Sequence, residues 1–100
     1  MQQFSEHHHG DLTLSNDLEI SGLISGTVTV PSGRHLLLHG MIAGDLIVEQ
    51  DAHVTIHGTV NGVVLNHGGD VEIFGTVDEV RDVSERKTFV DARAVIRGSN

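Results

Sequence analysis

Apolar and polar residues alternate along most of this chain, and the alternation keeps its parity from one stretch to the next. Leu18, Ile20, Ile24, Val28 and Val30 are followed by Leu36, Leu38, Ile42, Leu46 and Val48, and then by Val54, Ile56, Val60 and Val64. A period of two is that of strands burying one face. No stripe of period 3.6 survives, so helices are not expected. The side chains involved are Val, Ile, Leu and Thr, which suit a pleated, half-buried surface. The strand runs are separated by turn-forming stretches: PSGR at 31–34, EQDA at 49–52 and HGGD at 67–70.

The pattern is also a repeat. IHGTVNG at 56–62 has earlier copies in ISGLISG (20–26) and LHGMIAG (38–44), and a later one in IFGTVDE (73–79). Gly22, Gly40, Gly58 and Gly75 form one column. Gly26, Gly44 and Gly62 form a second, in which Glu79 takes the fourth place. Self-similarity at about 18 residues is the mark of a solenoid. Short strands and turns at that interval predict an all-β, single-domain parallel β-helix of about five coils, stacked about 4.8 Å apart. Even-numbered residues face inward and build aliphatic columns, such as Ile20, Leu38, Ile56 and Ile73. The repeated glycines fall at bends between faces, where the backbone needs unusual dihedrals or close approach.

The repeat predicts boundaries as well. DARAVIRG at 91–98 matches DAHVTIHG at 51–58, which places Gly98 in the first glycine column. The extra residues then fall in a charged loop at 81–89. Leu12 continues the column of Val30 and Val48 backwards. The β-helix is therefore expected over 11–98, with tails at 1–10 and 99–100. The HHH of the first ten residues is set aside as a chance or added tract. Eighteen is also three sixes, and aliphatics recur every six residues from Leu18 to Val60, so the hexapeptide period of left-handed β-helices fits the spacing too.

The stretch HGMIAGDLIVEQDAHVTIHGTVNG (39–62) resembles the bactofilins, bacterial polymer-forming cytoskeletal proteins. Their cores repeat G-x-V-x-G-D-I, then a turn with A-x-V, then I-x-G-x-V-x-G. Gly40, Ile42, Gly44, Asp45 and Leu46 stand at the first phrase, Ala52 and Val54 at the second, and Ile56, Gly58, Val60 and Gly62 at the third. The resemblance implies a right-handed, three-faced β-helix that polymerises end to end without a nucleotide. Elementary physics points the same way, because terminal coils expose unpaired backbone and open core columns, and solenoids ordinarily need polar caps; the plainer alternative is that residues 1–10 and 81–89 fold over the ends as caps. The residues expected at self-associating ends are Leu12, Leu14, Leu18 and Ile20 at one end and Val90, Ala94 and Ile96 at the other.

Charge narrows the partners. The net charge of −8 with neutral His argues against nucleic acid, which asks for clustered Lys and Arg. Three Phe and no Trp or Tyr leave little for base stacking. No cysteine is present, which fits a reducing compartment or indifference to redox and rules out thiol chemistry. No signal-peptide pattern and no apolar run of membrane length is visible, so the expectation is a cytoplasmic protein without a transmembrane segment. The expected partner is the chain itself, as a homo-oligomer or filament. The alternative is an acidic binding module, an immunity-type or adaptor partner of a basic protein.

Histidine is the one unusual residue, at eight. Outward columns should read Asp17, His35, His53, Asp70, Arg93 and Ser21, His39, His57, Phe74, Arg97. His35 with His53, and His39 with His57, would then stand on one face with Cβ atoms about 5 Å apart. Such pairs could hold Zn²⁺ or Ni²⁺ with Asp17 or Asp70 as a third ligand. The plainer readings are a solvated ladder copied by duplication, or a response to pH, because stacked imidazolium groups repel. Hexapeptide acyltransferases and γ-type carbonic anhydrases also use left-handed β-helices, but the helices that usually accompany them have no counterpart here. No nucleophile–base order and no phosphate loop is found, so no enzyme activity and no cofactor is expected.

Overall fold

The computed structural model describes residues 2–82 and 88–96, and every regular element among them is a strand. The first coil holds β1 (Gln2–Phe4), β2 (His7–His9) and β3 (Leu12–Thr13). The second holds β4 (Leu18–Ile20), β5 (Leu23–Ser25) and β6 (Val28–Val30), and the third β7 (His35–Leu38), β8 (Met41–Ile42) and β9 (Leu46–Val48). In the fourth coil, β10 (His53–Ile56) is followed by the long β11 (Thr59–Asn66), and in the fifth β12 (Asp70–Ile73) by β13 (Thr76–Asp82). The strands β14 (Phe89–Val90) and β15 (Val95–Ile96) open a further coil. All pairing is parallel, and each strand pairs with its counterparts in the coils before and after. The chain is thus a β-solenoid of about five turns, as the period of two and the repeat predict.

The alternation fixes the core. Ile20, Leu38, Ile56 and Ile73 stack in one column, Ile24, Ile42, Val60 and Val77 in a second, and Val28, Leu46 and Val64 in a third. All eleven are fully buried. Each removes on the order of 1.5–3 kcal/mol of apolar surface cost from water, so the columns are the main source of cohesion.

The glycine corners work through close approach rather than through dihedral angle. The N–H groups of His39 and Gly40 both donate to the Ile20 carbonyl, at 2.8 and 2.9 Å, and Met41 N–H donates to the Gly22 carbonyl at 3.0 Å. The same trio recurs one coil on, with His57, Gly58 and Thr59 as donors. A Cβ on Gly40 would fall onto the carbonyl oxygen of Gly22, and one on Gly58 onto that of Gly40. Left-handed backbone belongs to the turns instead, at Gly10, Gly33, Gly68 and Asp51.

Three boundaries differ from the sequence expectation. Residues 2–9, expected to be a tail, are paired strands: β1 lies on β4 and β2 on β5. Their offset is 16 residues, not 18, because the turn after Leu14 is two residues shorter than PSGR. For the same reason Leu12 stacks on Val28, not in the column of Val30 and Val48. At the other end, β13 runs through Arg81 and Asp82, and Phe89 belongs to β14, so the expected loop at 81–89 is narrower; residues 83–87 lie outside the described residues. Glu79 pairs with Val63, across a register shift after Val60, so the second glycine column loses a residue rather than substituting one.

The match of DARAVIRG to DAHVTIHG is not the structural register. Val95 and Ile96 stack on Thr76 and Val77, not on the Ile73 row. Val95 N–H donates to the Gly75 carbonyl, as Thr76 N–H does to that of Gly58, so Ala94 takes the corner expected of Gly98. Gly98 and Arg97 lie outside the described residues.

Candidate functional site: the coil ends and the histidine face

Burial falls away at both ends of the columns, and the two ends differ in shape. Phe4, in line with Ile20, and Leu12, in line with Val28, are only partly buried. With Leu14 and Leu18 they line an open cavity of about 190 Å³ at the first coil. His8 ends the column of Ile24, its ring edge-on to Phe4 at 6.2 Å. Of the residues expected at this end, Leu12, Leu14 and Leu18 border the cavity. Ile20 does not, because the first coil covers it completely.

The opposite end presents apolar groups outward. Val90 closes the column of Ile73 yet is 41% exposed, and Val95 and Phe89 are about half exposed. Ile96 and Ala94 are partly buried against the core, as is Val80. The column of Val30 and Val48 ends differently, in Asn66 and then Asp82. Asn66 is fully buried; its Oδ1 accepts from Gly68 N–H (3.0 Å) and Gly69 N–H (2.8 Å), and its Nδ2 donates to Asp82 and Thr88. Asp82 Oδ1 in turn accepts from the Thr88 hydroxyl at 2.7 Å and from its N–H at 3.1 Å. One edge of this end is therefore plugged by a satisfied polar network, while among the described residues Val90 stays exposed and Ile96 only partly buried.

The four histidines share a face, as expected. The rings of His35 and His53 lie 4.4 Å apart, and those of His39 and His57 stack at 5.3 Å with an interplanar angle of 11°. The second ladder continues through Phe74, stacked on His57 at 5.0 Å, to Phe89 at 6.1 Å. The register puts Asp91, not Arg97, beside Phe74, and Arg93 sits in a turn rather than beside Asp70. Glu19 approaches His39 Nε2 at 3.3 Å and Glu72 approaches His53 Nε2 at 3.7 Å. Asp17 is engaged, its Oδ1 accepting from His35 N–H at 3.0 Å. Burial and the neighbouring His53 push the His35 imidazole below its ordinary value, against the opposing pull of Asp17 and Glu72. Among the described residues no three His, Cys, Asp or Glu side chains converge as a metal would require, so the pairing is as expected but the third ligand is not in place.

No protein family, curated protein or solved structure matches this chain. What the chain can do is therefore read from its own surface.

Two features of the ends escaped the repeat. Phe4 stands 16 residues before Ile20, and Gly10 16 before Gly26, so a search at 18 residues passes over the first coil. Charge is also unevenly divided. Residues 1–80 hold eleven Asp or Glu against one Arg, whereas residues 81–100 hold three against five Lys or Arg. Counting the two segments apart would have revealed it.

Proposed function

We propose that this chain is a structural, non-enzymatic protein that associates with copies of itself through the ends of its β-solenoid, in the manner the bactofilin resemblance implies. The observation that carries the reading lies in the end coils as described: a cavity bordered by Phe4, Leu12, Leu14 and Leu18 together with Thr13, Ser15 and Asn16, and a last coil in which Val90 and Val95 are exposed among the described residues. A strand row that stops at a free edge is a template for another strand, and natural sheets ordinarily blunt such edges. Here apolar side chains reach both edges among the described residues, from Phe4 to Val90 in the column of Ile20 and from Leu12 to Val80 in that of Val28.

Sedimentation velocity over a range of concentrations, with negative-stain microscopy, tests this. The expected result is a species larger than the monomer that grows with concentration. A strictly monomeric chain at high concentration overturns the reading and moves weight to an acidic module that binds a basic protein.

A further inference from the structure

We propose that Ser25 is an activated hydroxyl that accepts an acyl group from an uncharged ester, with His7 as its general base. This is a stoichiometric modification and does not depend on the end-to-end reading above. It begins with the HHH tract, which the 18-residue repeat passes over. The tract is β2, laid on β5 with His7 beside Leu23, His8 beside Ile24 and His9 beside Ser25. Alternation puts His8 in line with buried Ile24 and leaves His7 and His9 exposed on the outer surface. Ser25 stands on the same outward side of β5, and its Oγ lies 2.6 Å from His7 Nε2. The rings of His7 and His9 lie 4.0 Å apart. Gly10 N–H donates to the Ser25 carbonyl at 3.3 Å, which ties down the backbone that carries the hydroxyl.

A serine hydroxyl is a weak nucleophile until a base takes its proton, and a base within hydrogen-bond reach is the first requirement. With its own proton on Nδ1, His7 accepts from the Ser25 hydroxyl through Nε2. Attack on an ester carbonyl forms the Oγ–C bond while the hydroxyl proton passes to Nε2. The bond from the carbonyl carbon to the leaving oxygen then breaks, and the departing alkoxide or phenoxide takes that proton. Ser25 is left as an ester and His7 is neutral again. The surroundings select the donor. Gly26 follows Ser25, and exposed Ala43, one residue beyond the pair of Ile24 with Ile42, faces it from the third coil. Small residues therefore border the hydroxyl and leave room for a carbonyl carbon. Glu6 and Asp11 bracket β2, and the chain has no Lys or Arg before Arg34. Such a field favours a neutral ester over an anionic donor such as an acyl phosphate.

Incubation of the full chain with p-nitrophenyl acetate, followed by peptide mapping in a mass spectrometer, tests this. Ser32, exposed in the PSGR turn, is the internal reference. Ser25 should be acetylated about a hundredfold faster than Ser32, the lower range of what a positioned general base contributes. His7→Gln, checked by circular dichroism for its β signal, should bring Ser25 down to the rate of Ser32, because an amide cannot take up the proton. Acetyl phosphate in place of the ester should shrink the preference for Ser25 over Ser32. Ser25 reacting no faster than Ser32 in the unmodified chain overturns the inference, as does an acetyl group that stays on His7 or His9. Undiminished acetylation of Ser25 in His7→Gln removes His7 as the base and overturns it too. An equal preference with acetyl phosphate overturns the choice of an uncharged donor. Sedimentation of the same samples reads self-association separately, so neither result decides the other.

Discussion

The interior coils and the end coils use the same strand alternation but turn their corners differently. In the second to fifth coils the corner residue is Gly22, Gly40, Gly58 or Gly75, and a Cβ at each would strike a carbonyl oxygen of the coil before it. In the first coil the Glu6 carbonyl lies beneath Gly22, and Leu23 N–H donates to it at 3.0 Å. Glu6 has no described coil before it, so its own Cβ meets no carbonyl there. In the last coil the corner is Ala94, reached by a turn two residues longer, in which Ala94 N–H donates to the Asp91 carbonyl and Arg93 N–H to Asp91 Oδ1 at 2.9 Å. That N–H, with the Arg93 guanidinium, holds the Asp91 carboxyl below its ordinary value. The lesson is that the spacing of coils, not the bend of the chain, dictates glycine: where no neighbour presses, or where a longer turn relieves the pressure, a side chain returns.

The comparison can be broken by exchanging interior and end residues. The largest effect is expected in the core columns. Ile56→Ala in the fourth coil should cost about 4 kcal/mol, as cavities in rigid cores do. Val90→Ala at the end of the same column, already 41% exposed, should change folding stability by less than about 1 kcal/mol. Chemical denaturation of both variants checks the contrast; equal losses would mean that the last coil is as tightly packed as the interior. Next comes the corner itself. Gly58→Ala should cost about 3 kcal/mol, because the added methyl can be accommodated only by prising coils apart. Glu6→Ala should leave the melting temperature within a few degrees. A tolerated Gly58→Ala would mean that the coil spacing yields more easily than the hydrogen-bonded corner suggests.

A third exchange concerns the plugged column. Val30 and Val48 are apolar, so Asn66→Val looks conservative when judged from the interior coils. It should instead cost about 2 kcal/mol, since it strands the Gly68 and Gly69 N–H groups in a buried turn. A neutral Asn66→Val in thermal melts would show that water reaches those donors.

Most of the interior was legible from the sequence because alternation and an 18-residue repeat are enough to specify which side chains stack. His35 beside His53, and His39 beside His57, followed from parity and the 18-residue interval together. The ends were not legible for a physical reason. Parallel pairing constrains backbone register but not turn length, so a coil two residues shorter at the start, or with a longer corner at Ala94, satisfies the same ladders while hiding from a fixed interval. DARAVIRG misled in this way: its Asp, Ala, Ile and Gly match the fourth coil letter by letter, yet Val95 and Ile96 belong to the next row round. Of Asp17 and Asp70, the two carboxylates that could have served as a third metal ligand, Asp17 turns one oxygen to the His35 backbone N–H, a use that residue spacing does not reveal.

The smallest effect is expected in the ladders that the regular interior creates. Repetition stacks His35 on His53, whereas no such pair of rows survives into the last coil. Burial and the neighbouring imidazole lower the His35 pKa in the folded chain below the unfolded value of 6.5. The unfolded chain therefore takes up a proton at this site before the folded chain does. Stability from this group is complete above about pH 6.5 and is lost as pH falls from there through the lower folded value. Asp17 and Glu72 face the pair and soften the loss. Melting temperature should accordingly fall by a few degrees at most between pH 7.5 and pH 5 on this account. His35→Gln should flatten the decline. If that variant keeps the slope of the unmodified chain, the stacked pair is not its source.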